Sequence, residues 1–254
     1  MSDEDDATVP EDEREALLTI AHGAVVTSGG VSGQRALNTA VEVVLARGLG
    51  PVAYGVYALA WRIAQLLFRI VTFGSVPALQ RYLPAAEGDD RRRSAVAGLA
   101  YATTLGFGVL LAAAIWVLAP WIDAQTVQNP AFVRTMRVFG GLVGLLGLVR
   151  VAASILRATG SARGEVLFDK LLRPGARFLG AVLALSLGYA VEGIAGAIVA
   201  ATALLVAVAV PVTTRLTDIE PSLRGAVAET RRFYNHAAPV ALSSLGKIFQ
   251  NRID

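Results

Sequence analysis

Hydrophobic residues gather into long runs along the chain, and shorter polar stretches separate these runs. They lie at about 17–45, 54–76, 96–118, 138–156, 178–190 and 194–212, and a seventh begins near residue 239. About 20 helical residues cross the ~30 Å hydrocarbon core of a bilayer, so each run predicts a transmembrane helix. The pattern therefore predicts an all-α, polytopic integral membrane helix bundle of about six transmembrane helices plus the start of a seventh.

The polar stretches predict how the chain is divided. We expect residues 1–16 to form an acidic cytoplasmic tail, because they carry acids where a signal peptide would carry bases. Residues 17–214 are expected to form the six-helix bundle, an N-terminal lobe. Residues 215–238 are expected to be a cytoplasmic linker between lobes, and 239–254 to be the start of the seventh helix, cut short at the end of the chain.

Basic residues are unevenly distributed among the loops. The loops after the second, fourth and sixth runs hold 13 Lys and Arg residues, whereas the other three loops hold three. Cytoplasmic loops carry the Lys and Arg excess. The alternation predicts a multi-pass protein of the cytoplasmic membrane with its N-terminus in the cytoplasm.

Small residues recur at four-residue spacing within several runs. Gly140 and Gly144 form one such pair, and Gly180 and Ala184 form another. Helices in a membrane associate where small side chains let their backbones approach closely. These rows predict a tightly packed bundle.

The composition agrees with a membrane location and excludes several other functions. Hydrophobic residues make up 54% of the chain and charged residues 17%, against roughly 45–50% and about 25% in ordinary soluble domains. The chain has no cysteine, which excludes disulfides and thiolate metal sites. Its formal net charge is +3, but the bases lie between apolar runs, so topology accounts for them and we expect no nucleic-acid partner.

Polar residues inside the runs are the candidate functional residues, because a charge at membrane depth is costly and usually faces a protein interior or a hydrated cavity. At 100° per residue they form three stripes. The stripes comprise Arg35, Asn38 and Glu42 on the first run, Arg62, Gln65 and Arg69 on the second, and Lys247 and Asp254 on the seventh.

These stripes predict a shared cavity with a cationic bias. Guanidinium groups bind phosphate in a bidentate manner, so an anionic, phosphate-bearing substrate is expected. The predicted substrate-binding residues are Arg35, Asn38, Arg62, Gln65, Arg69 and Lys247, and the candidate ion-coupling residues are Glu42 and Asp254.

Structural alternatives exist for these residues. Arg62 and Arg69 could extend to a membrane interface, and Arg35 and Glu42 could pair with neighbouring helices. Arg150 is expected to be an ordinary anchor near the inner end of the fourth run. Glu165 and Asp169 lie in a basic loop, where we expect a solvated surface.

No catalytic or metal-binding motif occurs in the sequence. His22 and His236 are the only histidines and lie far apart, and no HExxH, GxSxG or P-loop pattern is present. Gly48 and Gly50 suggest a phosphate cradle, but no strand precedes them and no GxGxxG spacing is completed. Pro51 after Gly50 instead favours a turn into a helix. We expect no enzyme activity, cofactor or metal.

Two segments resemble a known family. Residues 47–60 read RGLGPVAYGVYALA, and residues 73–84 read FGSVPALQRYLP. They resemble the opening of the polysaccharide-biosynthesis flippases of the multidrug/oligosaccharidyl-lipid/polysaccharide exporter superfamily. The second family motif is matched by Gly74, Ala78, Arg81, Tyr82 and Pro84, and residues 251–254, NRID, resemble the start of the family's seventh helix.

The resemblance implies a fold and a function. The family has two six-helix bundles around a central cavity and flips lipid-linked oligosaccharides across the cytoplasmic membrane by alternating access. The implied partners are the lipid bilayer, a glycan on polyprenyl phosphate or pyrophosphate, and glycosyltransferases of the same pathway. The family has about twelve to fourteen spans, so this chain is expected to be a fragment of a longer product, a disrupted reading frame or a half-molecule that must pair. We favour the first, in which the chain is the N-terminal part of a longer transporter.

Two other functions stay open at this stage. One is a cation-coupled exporter of drugs or metabolites from the same superfamily, which would use Glu42 or Asp254. The other is a non-transporting membrane subunit of a glycan-assembly complex.

Overall fold

The computed structural model describes the backbone of residues 11–250 and the side chains of residues 25, 27–161, 163–241 and 243. Within this range the chain is helical and contains no β-strand. The helices are α1 Glu11–Val71, α2 Ser75–Ala85, α3 Asp90–Gln125, α4 Pro130–Ala158, α5 Ala162–Glu165, a π-helix Val166–Leu172, α6 Arg173–Ser186, α7 Val191–Thr217 and α8 Ala226–Gln250.

Helix α1 contains the first predicted run and most of the second, and it turns back on itself at Gly50. This residue has φ 74° and ψ 170°, outside the helical region, and glycine adopts a positive φ at little cost. Glu42 and Tyr54 share a hydrogen bond of 2.8 Å, although 12 residues of straight helix would span about 18 Å. The predicted turn is therefore present, and we call residues 11–49 and 51–71 the first and second limbs of α1.

Four segments of the described chain are long and apolar enough to cross a membrane: Thr27–Ala85, Asp90–Gln125, Pro130–Ala158 and Val191–Thr217. They contain the predicted second, third, fourth and sixth runs and most of the first. The fifth run corresponds to α6, which has 14 residues and follows directly from α5 and the π-helix. Together these elements confirm a helix-bundle membrane protein.

The last described helix begins earlier than the hydropathy indicates. Pro239 was expected near the start of the seventh helix, but it lies inside α8, which begins at Ala226. The polar residues that precede Pro239 made this segment resemble a linker. They are helical because Phe233 and Ala237 of this segment are buried in a core cluster with α2 and α3.

Glycines let the helices approach closely. A Cβ placed on Gly108 of α3 would lie 2.7 Å from the Cα of Gly144 of α4, and one on Gly180 of α6 would lie 2.9 Å from the carbonyl oxygen of Ala197 of α7. Real Cβ atoms do not come so close to backbone, so only glycine fits at Gly108 and Gly180. The small-residue rows containing Gly144 and Gly180 are thus confirmed as sites of tight packing.

Helix α8 and the loop that precedes it are held against the start of α2 and against α3 by two further glycines. A Cβ on Gly98 would collide with the carbonyl oxygen of Ser222 and lie 2.9 Å from its nitrogen, and a Cβ on Gly74 would collide with the carbonyl of Ala237. The Ser222 amide also donates a hydrogen bond of 3.1 Å to the carbonyl of Ser94. These contacts position α8 beside the end of α1.

Candidate functional site

A polar cavity, which we call the cationic cavity, lies where α1, α2, α4, α6 and α8 meet. It has a volume of about 420 Å³. Three guanidinium groups line it, from Arg69, Arg150 and Arg173, and the described lining residues include no acid. Gln65 adds an amide and Phe68 an aromatic ring. The described part of the wall is therefore strongly positive.

Behind this wall, a buried carboxylate holds two of the three arginines. Asp169 is 2% exposed and forms ion pairs with Arg150 at 3.6 Å, Lys170 at 2.7 Å and Arg173 at 3.3 Å. Burial alone would raise the pKa of the Asp169 carboxyl, but the surrounding cations hold that pKa below its ordinary value. One negative charge against three positive charges leaves the cluster cationic.

The position of Asp169 depends on the π-helix in which it lies. π-helical turns are rare and are frequently found at functional sites. This turn directs Asp169 towards α4, while Arg173 follows at its end and donates a hydrogen bond of 3.2 Å to the Asp169 carbonyl. The guanidinium of Arg173 lies 4.8 Å from the centre of the Phe68 ring. Arg173 is thus fixed by a carboxylate, a carbonyl and an aromatic face.

The second cavity, which we call the α1–α6 cavity, has a volume of about 220 Å³ and contains a network centred on Arg177. This arginine is 3% exposed. It donates hydrogen bonds to Glu42 at 2.6 Å, Tyr57 at 2.9 Å and Asn38 at 3.4 Å. Its guanidinium also lies 3.8 Å from the centre of the Trp61 ring. Both limbs of α1 are therefore joined to α6 through one side chain.

Gln65 and Arg173 line both cavities, so the two cavities share a wall. Among the described lining residues of the α1–α6 cavity, Glu42 is the only acid. Its carboxylate accepts hydrogen bonds from Arg177 and from the Tyr54 hydroxyl. The arrangement provides a positive surface that can bind an anion.

The residues singled out from the sequence fall in several places. Arg69 lines the cationic cavity, Gln65 lines both cavities, and Asn38 and Glu42 line the α1–α6 cavity. Arg35 and Arg62 are exposed and are not among the described lining residues of either cavity. The side chain of Lys247 and the whole of Asp254 lie outside the described residues.

Sequence reasoning missed four residues that form the site. Asp169 was expected on a solvated surface, which is wrong because it is buried among three cations. Arg150 was expected to be an ordinary anchor, yet it lines the cationic cavity. Arg173 and Arg177 were counted as loop bases. A four-residue spacing connects Asp169, Arg173 and Arg177, which places them on one face of a helix and could have revealed them.

No group of three or more His, Asp or Glu side chains that could hold a metal ion occurs within the residues that the structure describes.

Comparison with known proteins gives one family and one fold. The model of a family described as polysaccharide biosynthesis protein matches residues 44–254. No curated protein matches the chain significantly.

Two solved structures share the fold. One is a multidrug resistance MATE family transporter of the MOP superfamily in an outward-facing conformation, with 20% identity and a TM-score of 0.72. The other is a MOP superfamily transporter from Pyrococcus furiosus, described as having a binding pocket of reverse polarity that suggests a different function, with 20% identity and a TM-score of 0.71. Each match covers 89% of this chain and 52% of the other. The chain therefore spans about half the length of the transporters whose fold it shares.

Proposed function

Because the chain belongs to the polysaccharide biosynthesis protein family, we propose that it takes part in moving lipid-linked oligosaccharide or polysaccharide precursors across the cytoplasmic membrane. It does so as the N-terminal part of a longer transporter that works by alternating access. The substrate is a glycan carried on polyprenyl phosphate or pyrophosphate, and the N-terminus faces the cytoplasm. Glycosyltransferases of the same pathway supply the substrate.

The observation that carries this proposal is the cationic cavity. Arg69, Arg150 and Arg173 converge on a space of about 420 Å³, a size typical of sites for small molecules. A phosphate or pyrophosphate group has the charge and the acceptor geometry that guanidinium groups bind best. The Asp169 carboxylate behind the wall positions Arg150 and Arg173, and its one negative charge leaves the cluster with a net positive charge.

The first experiment measures anion binding by the purified chain in detergent, with inorganic pyrophosphate as the probe. Arg69→Gln and Arg150→Gln are each expected to weaken binding about tenfold or more, because a hydrogen bond to a charged group contributes about 1.5–3 kcal/mol. Arg134→Gln is the matched control, since Arg134 is exposed and pairs with Glu192 at 2.8 Å, outside both cavities. Equal binding by all of these variants would contradict the proposal.

The same measurement on Arg35→Gln and Arg62→Gln tests the arginine of the first limb and that of the second limb, which the sequence predicted to bind substrate. The full-length product can then be reconstituted in vesicles with a labelled lipid-linked oligosaccharide. Translocation that is unaltered by Arg69→Gln and Arg150→Gln would show that the cavity has no role in transport.

A second candidate function is cation-coupled export, and Glu42 is the observation that favours it. Its carboxylate lines the α1–α6 cavity, where a proton or sodium ion would replace Arg177 as its partner. Cells that express the full-length product with Glu42→Gln would then lose resistance to cationic compounds. Unchanged resistance would leave the lipid-linked glycan as the preferred substrate.

A further inference from the structure

Another cavity, which we call the lateral groove, lies between α3 and α8 and has a volume of about 300 Å³. Its described lining residues are Ala102, Thr103, Gly106, Phe107, Leu110 and Tyr234. None of them is charged. The hydroxyl groups of Thr103 and Tyr234 lie 2.6 Å apart and satisfy each other with a hydrogen bond, so the polar atoms of this pair do not need an external partner.

The lateral groove opens on an apolar face of α3. Leu105, Val109 and Leu110 are 53%, 63% and 60% exposed. In a helix that crosses a bilayer, such a face meets lipid chains. The groove is therefore accessible from the hydrocarbon layer.

A pair of stacked aromatic rings separates the lateral groove from the cationic cavity. Phe73 lines the cationic cavity and Phe107 lines the groove. Their ring centres lie 4.2 Å apart with an angle of 13° between the planes. Helix α8 borders both spaces, through Ala241 at the cavity and Tyr234 at the groove.

The backbone at this partition is held in an unfavourable conformation. Phe73 has φ 41°, and Gly74 after it has φ 74°. A positive φ is uncommon for a residue with a large side chain and persists where the surrounding structure imposes it. Here it places the Phe73 ring against Phe107 at the point where α1 ends and α2 begins.

We propose that the lateral groove holds the apolar chain of an anionic lipid whose phosphate lies in the cationic cavity, and that Phe73 and Phe107 form the passage between the two. This inference rests on the proposed function and specifies how its substrate is held. Charge complementarity selects the occupant, because the space on one side of the ring pair is lined by three arginines and the space on the other side is uncharged and open to lipid. A polyprenyl phosphate has these two properties in one molecule.

Gly106 offers a direct way to test the groove. It lines the groove, and a Cβ added there would meet no atom within 4 Å, so the side chain of Gly106→Leu begins in open space and occupies part of the groove. Gly141 of α4 is equally open and lies outside the groove. Gly141→Leu is therefore the matched control, and Leu110→Trp is a second variant that fills the groove from another side.

The experiment uses the full chain in detergent and a polyprenyl phosphate with a photoreactive diazirine in its first isoprene units. Labelled peptides are mapped by mass spectrometry. We expect labels on residues 102–110 and around Tyr234. Gly106→Leu and Leu110→Trp should lower this labelling about tenfold, since excluding even two methylene groups weakens binding by about that factor. Gly141→Leu should not lower it.

Two controls separate the possible outcomes. Polyprenol with the same diazirine lacks the phosphate. If polyprenol labelled the chain as strongly as polyprenyl phosphate does, the labels would report contact with surrounding lipid only, and the assignment of the groove would be overturned. Inorganic pyrophosphate should bind Gly106→Leu as it binds the unmodified chain, which shows that the variant is folded. If pyrophosphate binds but the labelling does not depend on Gly106, only the assignment of the groove is overturned. If the unmodified chain does not bind pyrophosphate, the proposed function is overturned as well.

Discussion

Arg177 of α6 and Glu42 of α1 form an ion pair in which Nη2 and Oε1 lie 2.6 Å apart. The side chain of Arg177 is 4% exposed and that of Glu42 is 37% exposed. Tyr54 donates a hydrogen bond to the other carboxylate oxygen. Three stretches of chain therefore meet at one carboxylate: the first limb of α1, its second limb and α6.

Replacing Glu42 should loosen this junction. Glu42→Gln removes the negative charge beside a buried guanidinium, and we expect the free energy of unfolding to fall by about 1.5–3 kcal/mol, the range for a hydrogen bond to a charged group. Chemical denaturation in detergent measures it. In a double-mutant cycle with Arg177→Gln, the two effects should be strongly non-additive. Additive losses would mean that the pair does not stabilise the bundle.

Asp169 should be more important for stability than its neighbour Glu165. Asp169→Asn leaves Arg150, Lys170 and Arg173 without their carboxylate, and removing one partner of a buried ion pair costs about 3 kcal/mol or more. Glu165 pairs with Arg157 at 3.0 Å, but that arginine side chain is 56% exposed, so Glu165→Gln should cost about 1 kcal/mol or less. Equal losses in the two variants would contradict this difference.

The contribution of Asp169 should also depend on pH. The folded protein lowers the pKa of this carboxyl, so its stabilising effect is complete above the unfolded value of about 3.9 and is lost as the pH falls below it. The stability difference between the unmodified chain and Asp169→Asn should therefore be constant near neutral pH and shrink below about pH 4. Thermal unfolding at a series of pH values measures this, and a difference that grows in acid would be inconsistent with it.

Gly98 should tolerate no side chain, whereas Gly106 on the same helix should. A Cβ on Gly98 would press on the backbone of Ser222, while one on Gly106 would enter open space. We expect Gly98→Ala to destabilise the protein by about 1–3 kcal/mol through overpacking. Gly106→Ala should be neutral or stabilise by up to about 1 kcal/mol, because alanine favours helix. Thermal unfolding compares them, and a stabilising Gly98→Ala would show that the loop before α8 is not held against α3 at Ser222.

The two ends of α3 should lie on opposite sides of the membrane. The helix has 36 residues and is about 54 Å long, longer than the hydrocarbon core. The chain has no cysteine, so single cysteines can be introduced at the exposed residues Arg91 and Gln125. A membrane-impermeant maleimide should label Gln125→Cys in intact cells and Arg91→Cys only after permeabilisation. The reverse pattern would place the N-terminus outside.

Hydropathy and turn chemistry predicted most of the architecture. The apolar runs gave the helices because an apolar stretch of that length has few other stable arrangements in a bilayer, and Gly50 with Pro51 gave the turn in α1. The start of α8 was not predictable in this way. Its polar first half is helical because Phe233 and Ala237 pack on α2 and α3, and a window of hydropathy does not register such contacts.

The candidate site was predicted only in part, for a related reason. Polar residues inside apolar runs stand out from their neighbours in the sequence, and four of them, Asn38, Glu42, Gln65 and Arg69, were predicted in this way to belong to the site. Asp169 and Arg177 lie outside the apolar runs, so their sequence surroundings resemble a solvated loop. Their burial depends on α1 and α4 lying across them, which is a property of the tertiary structure.

The π-helix Val166–Leu172 sets the rotational phase of everything that follows it in α6. A single π-turn accommodates one residue more than an α-helix of the same length, and one residue corresponds to about 100° of helical rotation. Deleting one residue from this stretch would restore an α-helix and turn Arg173 and Arg177 away from their cavities together. The alignment of both cavities thus depends on the length of this seven-residue stretch as well as on the Asp169 carboxylate within it.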